Sequence, residues 1–371
     1  MDNTVSLAVC RDYNEERVFD AVARCFEGIG GVDAVFVKGK KVLVKPNLLS
    51  PRPPEEGVTT HPSLIRAVVR LAREKGCAVI IGDSHGGYER KTEHVWETTG
   101  MKGVAEETGV PLVNFEAAGA RLRRINGKIY PISAAVLDSD VIVNLPRMKT
   151  HVVTTITNAV KNMFGCVPGF RKATYHRDLH SVSSMSAMLV DVCQITSPRV
   201  TVMDAVISMD GNGPAAGRLR DTGFIAASRS PYALDLAVAK LVVTGENRVP
   251  TTVIAKRRGL APRGFKSLEF TGDDPDACRA ADFRLPRGGE LPSLLSAVVG
   301  RAIWVRPRID PSLCTSCEEC VANCPVRAIE MHGGLPRIDL KHCISCFCCQ
   351  EMCPSSAIVP LRSRQLRLIQ R

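Results

Sequence analysis

Short runs of apolar, often β-branched residues alternate with amphipathic stretches over the first 250 or so residues of the chain. Five of these runs predict β-strands, at 41–49, 78–83, 111–115, 140–146 and 199–206. Between the first two runs, apolar residues recur at the spacing of one helix face from Leu64 to Ala72, and Gly76 ends the pattern. The alternation predicts βαβ units, and therefore an α/β domain with a mainly parallel sheet flanked by helices.

Three further patterns predict local structure in this large domain. Ile156, Val160 and Met163 continue the helical spacing, which predicts a helix after the fourth strand. The Asn126-Gly127 pair within 121–132 predicts a two-stranded hairpin. From 248 to 289, Pro, Gly and charged residues replace the periodic pattern, so we expect an irregular lobe there.

Eight cysteines near the C-terminus repeat one spacing twice. Each copy reads Cys-x2-Cys-x2-Cys-x3-Cys-Pro. Bacterial ferredoxins use this run to hold two [4Fe-4S] clusters, and the fourth cysteine of each run binds the other cluster. The two copies therefore predict two crossed groups of ligands. The first ligand set is Cys314, Cys317, Cys320 and Cys353, and the second ligand set is Cys324, Cys343, Cys346 and Cys349.

Other uses of these cysteines fit the spacing less well. Zinc sites need CxxC pairs separated by a longer spacer, and a disulfide framework needs an oxidising compartment. We therefore expect two [4Fe-4S] clusters in a small α+β ferredoxin-like domain. Cys348 breaks the symmetry of the second copy, and we interpret it as a spare thiol packed near the cluster.

Length and composition divide the chain into three parts. Its 371 residues accommodate the large domain at 1–300, the two-cluster domain at 301–361 and a basic tail at 362–371. No run reaches the roughly 18 apolar residues of a membrane span. The beginning of the chain carries neither a secretory nor a twin-arginine signal. We therefore expect a cytoplasmic protein, which suits oxygen-sensitive clusters.

The formal net charge of +11 raises the question of partners. The tail has four arginines and no acid, so it could meet nucleic acid, an anionic membrane or an acidic protein. A solvated terminal helix is the simpler interpretation, and an aromatic content of 5% gives little support for stacking on nucleic acid. The partner that we expect is a redox protein, as electron donor or acceptor.

Polar side chains gather where four of the predicted strands end. Ligands of open α/β sheets bind beyond the carboxyl ends of the strands, so these side chains predict one site. Asn and Asp are also common turn formers, which is the alternative explanation. Lysines among them suit an anionic small-molecule substrate. The predicted ligand-binding residues are Lys45, Asn47, Asp83, Lys161, Asn162 and Asp204.

Histidines near these residues are candidates for proton transfer. His176 and His180 stand four apart, so a helix would place both imidazoles on one side. Such a pair could bind a metal or simply lie at the surface, but without a nearby carboxylate ligand we favour proton transfer or substrate hydrogen bonding. The predicted catalytic residues are Lys149, His151, His176 and His180.

Several common motifs are absent from the sequence. No GxGxxG follows a predicted strand and no GxxxxGK(S/T) occurs, so neither a dinucleotide fingerprint nor a P-loop is present. The GxSxG elbow of hydrolases and the HExxH of zinc proteases are missing as well.

The large domain resembles a known family through several segments. VLVKPNLLS, TTHP, AVIIGDS, DVIVNLPRMKTH, TNAVKNMFGCVPG and MDGNGPAAG are similar to the iron–sulfur-centre proteins called domain of unknown function 362. The resemblance spans about 42–271, and its members often join this domain to a two-cluster ferredoxin module. A fainter similarity to the lactate-racemase type of α/β domain lies in the KPN segment and the strand–loop layout. The resemblance implies an architecture and leaves the reaction open.

Three functions are compatible with these observations. We favour a redox enzyme whose clusters relay electrons to a substrate or cofactor held in the α/β domain. The protein could instead be a ferredoxin-type subunit whose large domain docks partner proteins. It could also be a non-redox enzyme with structural or oxygen-sensing clusters.

The two ligand sets predict the metal content of the protein. After anaerobic purification we expect about eight irons and about eight sulfides per chain, measured by chemical analysis. About four irons or fewer in a fully loaded sample would contradict the ligand assignment.

Overall fold

The computed structural model describes residues 2–86, 92–169, 171–179, 181–242, 244–286 and 304–363. Most of the described chain forms one α/β domain. Its strands are β1 Thr4–Val9, β2 Lys41–Pro46, β3 Ala78–Asp83, β4 Leu112–Asn114, β5 Ala120–Ile125, β6 Lys128–Ser133, β7 Val141–Leu145, β8 Arg147–His151, β9 Thr155–Thr157, β10 Val200–Asp210, β11 Arg218–Ser228 and β12 Glu269–Gly272. Its helices are α1 Glu15–Gly28, α2 Pro62–Glu74, α3 Thr92–Thr98, α4 Met101–Thr108, α5 Ala134–Leu137, α6 Ala159–Asn162, α7 Arg171–Asp178, α8 Val182–Thr196, α9 Pro231–Leu241 and α10 Pro250–Arg257.

Over the described residues, ten of these strands form one central sheet. Its order is β12-β1-β11-β10-β7-β2-β3-β4, and β8 pairs with both β10 and β9. Neighbouring strands are parallel except in three pairs, β1 with β11, β10 with β11, and β8 with β9. The predicted α/β class with a mainly parallel sheet is confirmed, and the five predicted strands are present as β2, β3, β4, β7 and β10.

Helices cover both faces of the sheet because the inner strands are apolar on both sides. In β2, Val42 and Val44 pack into a core with α1 and α2, while Leu43 between them packs into a core with α8. Successive side chains of a strand point to opposite faces, so one buried strand serves two cores. This arrangement leaves the carboxyl ends of the strands as the place for a ligand.

One predicted helix is much shorter than its spacing suggested. Thr155–Thr157 pairs with β8 as an antiparallel strand, so only Ala159–Asn162 is α-helical before a 3-10 turn at Met163–Cys166. The N–H groups of Ala159 and Val160 are capped by the carboxylate of Asp235, at 2.8 and 3.2 Å. These two N–H groups at the N-terminus of the helix are therefore not free to bind an anionic ligand. Local spacing misled here because strand pairing with a neighbouring segment decided the structure.

The predicted hairpin is confirmed as β5 and β6. Their pairing runs from Ala120 with Ser133 to Ile125 with Lys128. Asn126 and Gly127 both have positive φ, 49° and 74°, which a two-residue turn of this type requires.

The C-terminal module is a small α+β unit, as expected. Its elements are β13 Val305–Ile309, α11 Glu319–Ala322, β14 Ile329–His332, β15 Leu335–Ile338, α12 Cys348–Met352 and β16 Ile358–Arg362. β13 pairs with β16 and β14 pairs with β15, both antiparallel. The predicted boundary at residue 300 lies outside the described residues, as does the basic tail apart from Arg362 and Ser363.

Candidate functional site

Lys45 and Asp83 form a buried ion pair at the ends of the neighbouring strands β2 and β3. Lys45 Nζ lies 2.7 Å from Asp83 Oδ1 and also donates to Pro46 O at 2.9 Å. The Asp83 carboxylate further accepts the N–H groups of Leu48 and Ser84. A Cβ on Gly165 would lie 2.1 Å from Asp83 Oδ1, so only glycine fits there. The pair is fully engaged, and it shapes the floor of the crevice.

Lys149 is buried in the middle of β8, which pairs with β10 and β9, and it has no carboxylate partner among the described residues. Its side chain is 1% exposed, and Nζ donates to Asn47 Oδ1 at 2.9 Å and to Val58 O. Burial, together with repulsion from Lys161, holds the pKa of Lys149 well below its ordinary value. Both effects favour the neutral amine more than in a lysine exposed to water.

A chain of side-chain amides sets the orientation of Asn47. Asn47 Nδ2 donates to Asn162 Oδ1 at 2.9 Å, and Asn162 Nδ2 donates to Asn144 Oδ1 at 2.8 Å. Asn144 Nδ2 in turn donates to Ala159 O at 2.9 Å. Because each amide nitrogen is committed to the next oxygen, the oxygen of Asn47 faces Lys149. The chain links β2, α6 and β7 at one polar edge.

These side chains surround a cavity of about 110 Å³ between the large domain and the C-terminal module. The space corresponds to roughly eight water positions, enough for a small organic molecule. Six predicted residues line the cavity: Asn47, Asp83, Lys149, Lys161, Asn162 and His176. Residues that the sequence analysis did not assign to this site also line it, notably Ser84, Lys172, Asn323, Cys348, Glu351 and Met352. Lys45 stands behind Asp83 and supports this wall.

Lys172 is the main cationic residue that the sequence analysis missed. Its Nζ donates to Ser84 Oγ and His85 O, both at 2.7 Å, and to Ser84 O. Burial lowers the pKa of Lys172 to about 8. It lies in the polar helix α7, whose composition resembles an ordinary exposed helix, so no sequence signal separated it from its neighbours.

Asp204 does not line this cavity, contrary to the grouping predicted from the sequence. Its Oδ2 accepts from the fully buried Arg147 at 2.7 Å and from the N–H of His61. Its Oδ1 accepts from Tyr13 OH at 2.8 Å. A buried guanidinium needs a charged partner, so Asp204 serves the packing of β8 against β10.

His151 has both ring nitrogens engaged. Nδ1 accepts the backbone N–H groups of Val153 and Thr154, so the proton of the neutral ring lies on Nε2. Nε2 is 2.7 Å from Glu351 Oε1 of the C-terminal module and donates to it. Burial lowers the pKa of His151 to about 4, in keeping with the neutral form. This geometry supports a positioning role and gives no support to the predicted proton transfer.

His176 lies between two spaces. It lines the cavity, and it also lines an open groove of about 940 Å³ bordered by Arg248, Arg257 and the segment 344–347. Its ring packs edge-on against Phe164, and burial lowers its pKa to about 4. Within the described residues, no hydrogen bond engages its ring nitrogens. α7 ends at Asp178, and His180 lies outside the described residues.

The C-terminal module docks on the crevice through α12 and the residues after it. Glu351 contacts His151 and lies 3.8 Å from Lys161 Nζ. Gln350 Nε2 donates to Asn212 O at 3.2 Å, in the glycine loop at 211–214 that follows β10. On the other side, Arg52 donates to Cys353 O and to Ser356 Oγ. The glycine loop therefore holds the module, a role that the sequence did not suggest.

The two cysteine runs fold in the same way. Ser316 and Glu318 of the first run have positive φ, as do Ser345 and Phe347 at the matching places of the second. Left-handed residues between the cysteines turn the chain so that the thiols converge and backbone N–H groups face sulfur. Ser345 N donates to Cys343 Sγ at 3.4 Å. Repeated local geometry of this kind fits repeated cluster-binding loops.

The cysteines of the first predicted ligand set come together from both runs. All four cysteines of the first ligand set line one small cavity in the module. Burial, followed by repulsion from Cys353 and Cys317, raises the pKa of Cys320 to about 11. In the second ligand set, burial raises the pKa of Cys343, and Cys346 and Cys324 add to the effect. Thiols gathered from two runs, with N–H donors at Cys324 and Cys353, suit [4Fe-4S] clusters.

The His151–Glu351 contact predicts how the module is held. Replacing His151 by Leu leaves a buried carboxylate without its donor, which should lower the free energy of local opening by about 1–3 kcal/mol. Hydrogen exchange followed by mass spectrometry should show faster exchange in α12 and β16, and His151→Gln, which keeps a donor, should show a smaller change. Equal protection in both variants and the parent protein would contradict the positioning role.

Comparison with known proteins agrees with this architecture. Residues 42–240, more than half of the chain, match the family described as Domain of unknown function (DUF362). Residues 306–354 match the 4Fe-4S dicluster domain. The chain is thus an iron–sulfur protein with a ferredoxin-like electron-transfer domain, in the order predicted from the sequence.

Similar proteins extend over most of the chain. A thylakoid-associated protein of Synechocystis sp. is 30% identical over 298 residues, which cover 77% of this chain and 92% of that protein. The lactate racemase apoprotein of Thermoanaerobacterium thermosaccharolyticum superposes with a TM-score of 0.41 at 10% identity, over 63% of this chain and 55% of that chain. Among the described residues, no helix is both long and apolar enough to cross a bilayer. The chain belongs to the DUF362 family and carries a 4Fe-4S dicluster domain after the family's own domain.

Proposed function

We propose that the protein is an iron–sulfur redox enzyme that transfers electrons to a small anionic substrate or cofactor in the cavity. One observation carries the proposal: the cavity wall combines the lysines of the large domain with Cys348, Glu351 and Met352 of the module. These three residues lie between or beside cysteines of both ligand sets. The predicted electron carrier and the predicted ligand site thus share a wall.

The chemistry of the bound clusters would be one-electron transfer, so a two-electron reduction needs two successive electrons and two protons. A reduced redox protein is the reductant, and it is oxidised by one electron at each step. The residues of this chain have the remaining tasks of binding the substrate, excluding water and moving protons.

Lys149, Lys161 and Lys172 would hold an anionic group at the cavity. Glu351 and Asp83 offset part of their charge, and each already has partners. Lys149 differs from Lys45 because its acceptors are uncharged. An incoming anion would therefore favour the protonated form of Lys149, and a proton would enter the site with the ligand.

His176 is the best candidate for proton movement. It lies at the passage from the cavity to the open groove, and its ring nitrogens have no hydrogen-bond partner among the described residues. Its low pKa keeps the ring neutral and makes it a weak base, so it would pass a proton on rather than store one. A contribution from His180 stays a prediction from the sequence, as does the cytoplasmic location.

We assign the predicted residues either to ligand binding or to support of the surrounding structure. Asn47 and Asn162 would orient Lys149 and the ligand, while Lys45 and Asp83 would fix the cavity wall. His151 would position the module through Glu351, and Asp204 would act in the core of the large domain.

A cavity-filling variant tests the proposal directly. Ala173 lines the cavity from helix α7, so Ala173→Phe should fill the space and leave the clusters intact. Small molecules that co-purify anaerobically with the parent protein should be missing from the variant by mass spectrometry. Cluster absorbance should be equal in both. If the variant still exchanges electrons with its partners and keeps every co-purifying small molecule, the cavity is not the binding site. The large domain is then a docking surface, and the protein is an electron carrier.

Anion binding should depend on pH through Lys149. Below the lowered pKa the amine is already charged and affinity is highest; above it, each bound anion requires a proton, so affinity falls by up to about tenfold per pH unit. Sulfate, whose own charge is constant from about pH 6 to about pH 9, is a suitable probe. Calorimetry in buffers of different ionisation enthalpy should register proton uptake.

Two variants separate Lys149 from the general charge of the site. Lys149→Met should reduce the proton uptake to the part that Lys172 contributes, and Lys161→Met should weaken binding while uptake by Lys149 persists. Sulfate binding without any proton uptake in the parent protein would contradict the role of Lys149.

A further inference from the structure

The two ligand sets are equivalent in sequence, but their surroundings differ. We propose that the second ligand set holds the cluster that serves the cavity, and that the first ligand set holds the cluster at which a reduced partner protein docks and delivers electrons. The inference rests on the proposed function, since it takes the cavity as the destination of the electrons.

Neighbours of the second ligand set form part of the cavity wall. Asn323 precedes Cys324 in the chain, Cys348 lies between Cys346 and Cys349, and both line the cavity. The segment 344–347, which includes Cys346, lines the groove on the other side of His176. Both ligand-accessible spaces of the crevice therefore border the second ligand set.

The first ligand set faces another direction. Its small cavity is lined by module residues such as Ile309, Pro336 and Ala357. Among the described residues, none from 304–320 lines the crevice cavity, and Met352, next to Cys353, is the one neighbour of this set that does so. Cys317 is exposed to solvent, whereas every cysteine of the second ligand set is at least half-buried.

Two exposed apolar side chains flank the first ligand set, and we call them the apolar patch. Leu313, next to Cys314, is 49% exposed, and Leu335, next to Pro336 of the cluster cavity, is 39% exposed. Ser316 Oγ donates to Gly334 O, which holds the two loops together. Such a patch around an exposed ligand fits a small redox protein with an apolar rim around its own cofactor, in a transient complex of small area.

The electron path follows from these positions. One electron passes from the reduced partner to the cluster of the first ligand set, so the partner is oxidised and that cluster is reduced. The same electron then moves to the cluster of the second ligand set and from there to the substrate. A second electron repeats the path.

Redox potentials test the assignment without any substrate. Removing the positive charge of Lys161 at the cavity disfavours the reduced, more negative state of the nearer cluster. Lys161→Met should therefore lower the midpoint potential of one cluster, measured by electron paramagnetic resonance during redox titration. The cluster with the lowered potential should be the one whose spectrum is unchanged by Cys317→Ser. Lys161→Arg, which keeps the positive charge, should leave the midpoint potentials of both clusters unchanged. A shift in the cluster altered by Cys317→Ser, or an equal shift in both, would overturn the order.

Docking is tested with a reduced bacterial ferredoxin as the probe. Leu313→Gln should slow cluster reduction by the probe several-fold in stopped-flow absorbance, while reduction by methyl viologen stays unchanged. Leu122→Gln is the control, because Leu122 is 63% exposed on the hairpin of the large domain. Equal rates for Leu313→Gln and the control would rule out the apolar patch. These outcomes are independent of anion binding, so failure of the cavity assignment would be recognised separately.

Discussion

The arrangement of the two domains depends on the hydrogen bond between His151 and Glu351. It joins the end of β8 to α12, the helical turn Cys348–Met352 that contains Cys349 and ends just before Cys353. Both groups are buried, so neither finds water as a substitute partner, and the bond fixes the side of the module that faces the crevice. Gln350 and Arg52 hold the same segment from either side. As a result, the cysteine-bearing helix becomes a wall of the ligand cavity.

The crevice also illustrates how a fold tolerates buried cations. Arg147 and Lys45 are each matched by a buried carboxylate, because an unpaired charge in the interior is very unfavourable. Lys149 is equally buried, yet its acceptors are an amide and a backbone carbonyl. This difference is the basis for proposing Lys149 as the residue whose charge responds to an anion in the cavity. Lys45 and the proposed ligand-binding Lys149 are thus distinguished by their partners, although their residue type and burial are the same.

The C-terminal module combines internal symmetry with an asymmetric environment. Positive-φ residues recur at matching places in the two runs, so the chain folds around each ligand set in the same way. Docking then breaks the equivalence, since one set borders the crevice and the other approaches solvent through Cys317. Cys348, the residue that disturbs the second run, lines the cavity and gives the crevice a thiol beside the second ligand set.

The sequence by itself determined the features that local chemistry controls. Cysteine spacing predicted the dicluster domain, Asn126-Gly127 predicted the hairpin, and apolar runs predicted the inner strands. Tertiary structure alone decided which polar residues share a site, because their partners are far apart in sequence. His151 donates a hydrogen bond to a glutamate 200 residues away, and Asp204 forms an ion pair with Arg147. Strand pairing with β8 replaced part of a predicted helix. Periodicity records which face of an element is buried, whereas the partner of a buried polar group depends on how the chain brings distant elements together.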